Sequence, residues 1–246
     1  MRSVHLASVF APALSGAIVL GSVFSAASAR AESHFGAGLI GAVGGNFLDK
    51  PDRGPADPDI YPGYGGLTIG GGLMLDGRIL DGLLGLEVDV MRTSDKGSGT
   101  VNFSTNIAGQ TFSTSIKQTI GQSAWHVPIL AKITFPSPLI APMVFIGPEL
   151  VFPGSGSSDP SSEGAYQLKA HADNYVMVTF GAGVEIKLPL PILDLRIPLG
   201  IRGSYNPSAP SSFSDRVKGN LLTGPLTYYS GWKYDVNFTA GAAIYF

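Results

Sequence analysis

Hydrophobic and polar residues alternate along most of this chain. Between 234 and 246, Val236, Phe238, Ala240, Ala242, Ile244 and Phe246 share one phase, and Asp235, Asn237, Thr239, Gly241, Ala243 and Tyr245 share the other. A period of two is the mark of a strand with two unlike faces. The same pattern predicts strands over 34–47, 67–75, 84–91, 125–135, 143–152, 176–188 and 193–202. Leu84, Leu86, Val88 and Val90 alternate with Gly85, Glu87, Asp89 and Met91, so the polar phase carries full charges.

The connections alternate as well. Those at 48–64, 94–123, 153–173 and 206–233 are long and rich in Ser, Gly, Pro and Asp, whereas those at 76–82, 136–142 and 189–191 are short. The stretch 94–123 is read as a loop, with room for the flanking strands to extend into it. Pro128 and Pro148 fall inside predicted strands, remove ladder donors and are expected to mark bulges. An even strand count with long and short connections in turn is the pattern of a barrel crossing a membrane. Closure follows from the same premise, because an open sheet edge in hydrocarbon leaves backbone groups unsatisfied. The expected fold is therefore all-β, an eight-stranded antiparallel transmembrane up-and-down β-barrel.

Composition narrows the class. Residues 1–31 carry Arg2 and His5, an apolar run from Leu6 to Phe24, and Ala-x-Ala sites ending at Ala29 and Ala31, which reads as a secretory signal peptide. The competing reading is a retained helical anchor, which Pro12 interrupts. The barrel domain is then 32–246. Beyond the leader there is no apolar run of about 18 residues, as a membrane helix would need. The chain has 33 Gly, 14% charged residues and no Cys, so neither a disulfide framework nor a lipid-modified cysteine is available. Cleavage removes Arg2 and Arg30 and no acid, leaving 14 basic and 18 acidic residues, a balance that argues against nucleic acid.

The candidate chemistry lies on the polar phase of the strands. Glu87, Asp89, Glu149, Glu185, Asp194 and Asp235 supply acids, Lys132, Lys187, Arg196 and Arg202 supply bases, and His126 lies nearby. Eight strands enclose a bore that side chains just fill, so these groups are expected to form an ion-pair network within it. A narrow ion path is the alternative. Gly36, Gly38 and Gly41 spell G-x-G-x-x-G without the strand and helix that a dinucleotide site requires. Asp49, Asp52, Asp57 and Asp59 lack the spacing of a calcium loop. His171 beside Asp173, downstream of Ser157, Ser158, Ser161 and Ser162, is the one nucleophile-and-base grouping, and it sits in a low-complexity loop. Phe35, Phe47, Tyr64, Trp125, Phe135, Phe152, Tyr175, Tyr205, Trp232 and Tyr234 fall at strand ends and suit interfacial belts. Tyr228, Tyr229 and Trp232 are the candidate outer contact patch. No catalytic, metal or cofactor-binding residue is assigned.

Several segments resemble a known family. Trp125-His-Val-Pro-Ile-Leu-Ala-Lys132, Phe145-Ile-Gly-Pro-Glu149 and Phe180-Gly-Ala-Gly-Val184 resemble the core of small eight-stranded porin-like, OmpX- and OmpA-type barrels. Gly241, Ile244 and Phe246 resemble the C-terminal recognition signature of bacterial outer-membrane barrels. The resemblance implies an outer-membrane location and contact with outer-membrane lipid. It also implies insertion by the barrel assembly machinery with Gly241, Ile244 and Phe246 as the signal. The long loops are able to contact a partner outside. The last predicted strand ends at Phe246, so a wall-anchoring domain of the OmpA type is not expected. A noncatalytic structural or surface-contact role with no cofactor is the expected function. The alternatives are a narrow porin-like conduit and a lipid A acyltransferase or deacylase.

Overall fold

The computed structural model describes residues 34–52, 54, 61–107, 109–160, 168–190, 193–218 and 226–246. The leader, Asp57, Asp59, Ser161 and Ser162 lie outside them. The described strands are β1 (His34–Leu48), β2 (Tyr64–Ile79), β3 (Leu84–Ile107), β4 (Gln110–Thr134), β5 (Ile140–Pro160), β6 (Leu168–His171), β7 (Tyr175–Pro189), β8 (Asp194–Tyr205), β9 (Val217–Lys218), β10 (Leu226–Tyr229) and β11 (Tyr234–Tyr245). A single-turn helix, α1 (Phe213–Arg216), precedes β9. Eight strands close into a barrel in the order β1-β11-β8-β7-β5-β4-β3-β2, each antiparallel to its neighbours. β6, β10 and β9 form a small separate sheet.

Register fixes the barrel's shape. Stepping across paired residues from Phe35 leads through Gly77, Leu86, Ala131, Ile146, Phe180, Gly203 and Val236 to Gly45, ten residues further along β1. A stagger of that size over eight strands tilts them by about 40° to the barrel axis. Phe35 and Phe47, both outward, then stand about 30 Å apart along the axis. Leu39, Ile69, Leu73, Ile146, Phe180 and Ile201 lie on the outer wall, each more than half exposed.

Three differences from the sequence pattern have local causes. First, β3 and β4 continue past the barrel as a ribbon with Ile107 paired to Gln110, the strand extension for which the 94–123 stretch left room, and β5 follows β4 out to Pro160, where a loop was expected. The Thr-, Val- and Phe-containing segments there suit a strand, and each finds a partner, such as Val101 opposite Ile116. Second, the register runs unbroken past Pro128 and Pro148, and the irregularity falls between Gln122 and Ala124. The prolines cost ladder pairs on one side and leave the phase intact. Third, β2 runs through Asp76 and Arg78 to Ile79, so the expected 76–82 turn shrinks to the residues after Ile79. Leu80, Asp81 and Gly82 all take positive φ there.

Candidate functional site

The inward phase of the barrel strands carries a connected ladder of charges in the half nearer the short turns. It runs Asp194, Arg196, Glu185, Arg78, Asp76, Lys132, Glu87, Arg202, Asp89. Arg196 Nη2 reaches Asp194 at 2.5 Å and its Nη1 reaches Glu185 at 3.3 Å. Arg78 Nη1 donates to Glu185 at 3.0 Å, and its Nη2 donates to Asp76 at 2.7 Å. Lys132 joins Asp76 to Glu87, the latter at 2.6 Å. Arg202 donates to Glu87 and Asp89, both at 2.6 Å. Tyr245 OH donates to Asp76 at 2.6 Å and accepts from Arg78 at 2.7 Å, and its ring lies 4.0 Å beneath the Arg196 guanidinium.

Two of these links cross the bore. β2 and β7 are four places apart in the eight-strand ring, as are β3 and β8, so Arg78–Glu185 and Arg202–Glu87/Asp89 join opposite walls. Leu130, Met143 and Phe145 pack among them, with Arg202 over the Phe145 ring at 5.4 Å. Pairs this deeply buried hold only where each charge is met, and the chain of alternating acids and bases meets that condition.

Nearer the long connections the polar groups keep to the wall. His126 Nδ1 meets Glu149 Oε1 at 2.5 Å, and Glu149 Oε2 accepts from the Thr179 hydroxyl and from Ser204 at 3.0 Å. Asp95 accepts from Thr93 at 3.1 Å and stands 4.0 Å from His126 Nε2. These three hydroxyls therefore serve carboxylates, and none is bonded to His126. His171 and Asp173 do pair, at 3.2 Å, but both side chains are largely in solvent.

Above this layer, residues from the long connections close the mouth. Leu48, Tyr61, Tyr64, Ile120, Phe213, Tyr228 and Trp232 form one buried apolar cluster. Trp232 lies over Gly97, where an added Cβ would stand 2.6 Å from the indole ring. Tyr61 OH donates to Tyr229 O at 2.7 Å, and Tyr64 OH donates to Gln118 Oε1 at 2.8 Å. Arg216 reaches the Asp49 carboxylate at 2.7 Å, with further bonds to the carbonyls of Asp49 and Pro210, while Lys233 takes the second Asp49 oxygen at 2.5 Å. Burial pushes the Asp49 pKa up, but bonds from Lys233 and Arg216 outweigh it and hold the carboxyl below its usual range.

The structure places Glu87, Asp89, Lys132, Glu185, Asp194, Arg196 and Arg202 in the ladder, with Asp194 at its half-exposed rim. Glu149 belongs to the His126 group, and Asp235 is buried near the mouth. Lys187 is half-buried and makes no ion pair with another described residue. Gly241 pairs with Ile40, Ile244 with Ala37, and Phe246 exchanges backbone bonds with Phe35. Asp76, Arg78 and Asp95 are ladder or lumen groups in segments the sequence pattern assigned to turn and loop. Their signal was phase: Asp76 and Arg78 continue the inward even numbers of Thr68 and Met74, and Asp95 continues the odd numbers of Glu87 and Asp89. Phase also corrects the aromatics. Tyr64 and Tyr175 point inward and are buried, and Tyr228 and Trp232 lie inside the cap, so neither belt nor outer patch includes them. Gly36, Gly38 and Gly41 lie within β1, with no helix following.

No family model matches the chain, and no curated protein matches it. Among solved structures it is similar to the translocator domain of autotransporter NalP from Neisseria meningitidis, at 9% identity and a TM-score of 0.27, covering 100% of this chain and 99% of that one. It is also similar to a Pseudomonas aeruginosa FadL homologue, at 8% identity and a TM-score of 0.21, covering 87% and 89%. At such scores only the chain's own geometry bears on function.

Proposed function

We propose that this chain is a noncatalytic bacterial outer-membrane barrel whose lumen is sealed and whose capped end faces outside. The carrying observation is the inversion of an ordinary protein's surface, with an apolar outer wall around a bore crossed by ion pairs. Soluble proteins rarely expose contiguous apolar patches beyond a few hundred Å², and here such residues ring the barrel. Phe35 and Phe135 lie at one edge of the band, and Trp125, Tyr205 and Tyr234 at the other, all substantially exposed. Arg92 lies over the Trp125 ring at 5.3 Å and Lys233 over Tyr234 at 5.5 Å, the placement of interfacial anchors. The spacing of about 30 Å between Phe35 and Phe47 matches a bilayer's hydrocarbon thickness. Insertion would fall to the barrel assembly machinery, and the ribbon and cap would be the surfaces met by partners outside.

The test combines conductance with topology. Purified protein in planar bilayers is expected to give no large stable current, and a wide open channel would overturn the sealed-lumen reading. Cysteines at Gly109 and Ser212 should label on intact cells while one at Ser137 stays protected. The reverse pattern would refute the orientation.

A further inference from the structure

The charge ladder and the mouth of the barrel differ in one respect. In the ladder each carboxylate meets a cation, although Asp76 Oδ1 and Asp89 Oδ1 take no bond from a described residue, whereas near the mouth five carboxylate and amide oxygens are unmet, in the same layer as the unmet Trp232 Nε1 and His126 Nε2. Asp235, Asp95 and Asn46 are almost wholly buried there, and each has an Oδ1 that no donor among the described residues meets with hydrogen-bond geometry, the Thr68 hydroxyl and the Trp232 indole lying beside Asp95. Asn237 Oδ1 and both side-chain polar atoms of Gln122 are likewise unmet. Register sets these groups at one level of the inner wall: Asn46 is paired with Asp235, and a continuous row runs half-way round the ring through Asn237, Gly44, Thr68, Asp95 and Gln122, so that β11 and β4 face each other across the bore. All belong to the inward phase. Gly44 leaves the room that Asn237 uses, since an added Cβ would stand 2.4 Å from Asn237 Oδ1. The Asn46 amide donates to Thr68 Oγ1 at 3.0 Å and faces the Leu67 carbonyl, so its oxygen is the end turned elsewhere.

Charge points the same way. Asp95, Glu149 and Asp235 share this layer with His126 as its basic group, and Arg202, the next cation down the lumen, is committed to Glu87 and Asp89. With His126 as imidazolium and all three carboxyls ionised, the layer would carry two excess negative charges. Buried carboxylates without a counter-charge are costly, and two positive charges offset them. Carboxylate and amide oxygens on several strands, with no sulfur donor, suit a hard cation that accepts irregular, many-oxygen coordination.

We propose that the layer beneath the cap binds one calcium ion, with Asp235 and Asp95 as its charged ligands and the side-chain carbonyls of Asn46, Asn237 and Gln122 as neutral ones. This inference rests on the lumen geometry and stands apart from the membrane orientation. Magnesium, smaller and slow to give up its waters, fits such a ligand set poorly. Calcium would tie β11, β1, β3 and β4 together under Trp232.

The test uses the purified full-length barrel in detergent, stripped with EDTA and titrated with CaCl2, followed by calorimetry and by its thermal midpoint. One saturable site per chain and a calcium-dependent rise in midpoint are expected, with no equal response to MgCl2. Asp235→Asn should weaken binding by at least about tenfold and abolish the rise. Its calcium-free midpoint should equal or exceed that of the unaltered chain, because a buried like charge is gone. Asn46→Leu, which keeps the charges, should also weaken binding, and Asp194→Asn in the ladder should not. No calcium dependence in the unaltered chain overturns the site, as does an equal response to magnesium. A response that survives Asp235→Asn places the ion on the outer loops and overturns it too. Should Asp235→Asn fail to fold, Asn46→Leu decides by the same criterion.

Discussion

Arg78 is the joint of the charge ladder, and its replacement by Met gives the sharpest measure of what the ladder contributes. The side chain is 1% exposed and meets Asp76, Glu185 and the Tyr245 hydroxyl. Removing it leaves five ladder acids against three bases, cuts one of the two links across the bore, and leaves Glu185 with the Arg196 contact at 3.3 Å as its one cation among the described residues. Losing one member of a buried pair costs about 3–5 kcal/mol, mostly as the burden of the stranded charge. Asp76 keeps Lys132, which places the expected loss near 3 kcal/mol, the lower end of that range. Arg196→Met should cost less, because its partner Asp194 has a side chain 42% exposed and water can replace the cation there. Adding Glu185→Gln to Arg78→Met should recover most of the loss. The assay is reversible urea unfolding into lipid vesicles, read by tryptophan fluorescence and extrapolated linearly. A loss under about 1 kcal/mol, the scale of a surface pair, or a double variant as unstable as the two single losses added, would refute the argument.

The cap gives a prediction with a pH sign. The folded-state pKa of Asp49 is depressed, so its contribution is complete above the usual 3.8 and is lost as pH falls through the lower folded value. External protease should therefore begin to cut the cap only in that acid window, and Asp49→Asn should make it susceptible at neutral pH. Gly97→Val drives a side chain into Trp232 and should release the cap, seen as a red-shifted Trp232 emission, while the barrel's heat resistance on gels is kept. Leu80 has φ of 54°, so Leu80→Gly should stabilise the barrel by about 1 kcal/mol in the same urea assay.

Much of the fold was legible because one rule, the phase of two, governs every barrel strand. The rule was followed only as far as the apolar partners lasted. Asp76 and Arg78 were lost to a turn because Gly77 gave no outward apolar residue to mark the phase between them. Asp95 was lost because Thr93, Ser94 and Lys96 look like loop once the outer wall leaves the apolar band. The cap was not legible at all. Trp232 and Tyr228 have neighbours set by β1, β2, β4 and α1, contacts between distant segments that no local period encodes. The His126–Glu149 pair lay between, its residues visible and their meeting dependent on the register of β4 with β5.

In the membrane setting proposed above, the charged lumen also answers how the barrel would choose its register. In water, burial of apolar side chains would fix which face points inward, but in hydrocarbon an apolar side chain gains little by turning either way. The discrimination has to come from what lipid rejects. A slip of one residue sends a strand's whole inward set to the outside. For β3 that would place Glu87 and Asp89 toward lipid, and for β8 Arg196 and Arg202. Each Arg near the bilayer midplane costs about 2–4 kcal/mol on the lipid face of a barrel, acids somewhat less. For β8 alone the slip is opposed by several kcal/mol, before any broken ion pair is counted. The ladder therefore works first against the wrong register, and only second as a bond across the bore. Replacing Arg78 and Glu185 together by apolar residues should accordingly cost little equilibrium stability and yet raise the fraction of misassembled chains during refolding, scored as heat-sensitive bands on gels. A double variant that refolds as cleanly as the unaltered chain would show that register is fixed elsewhere, in the turns or in the outer aromatics.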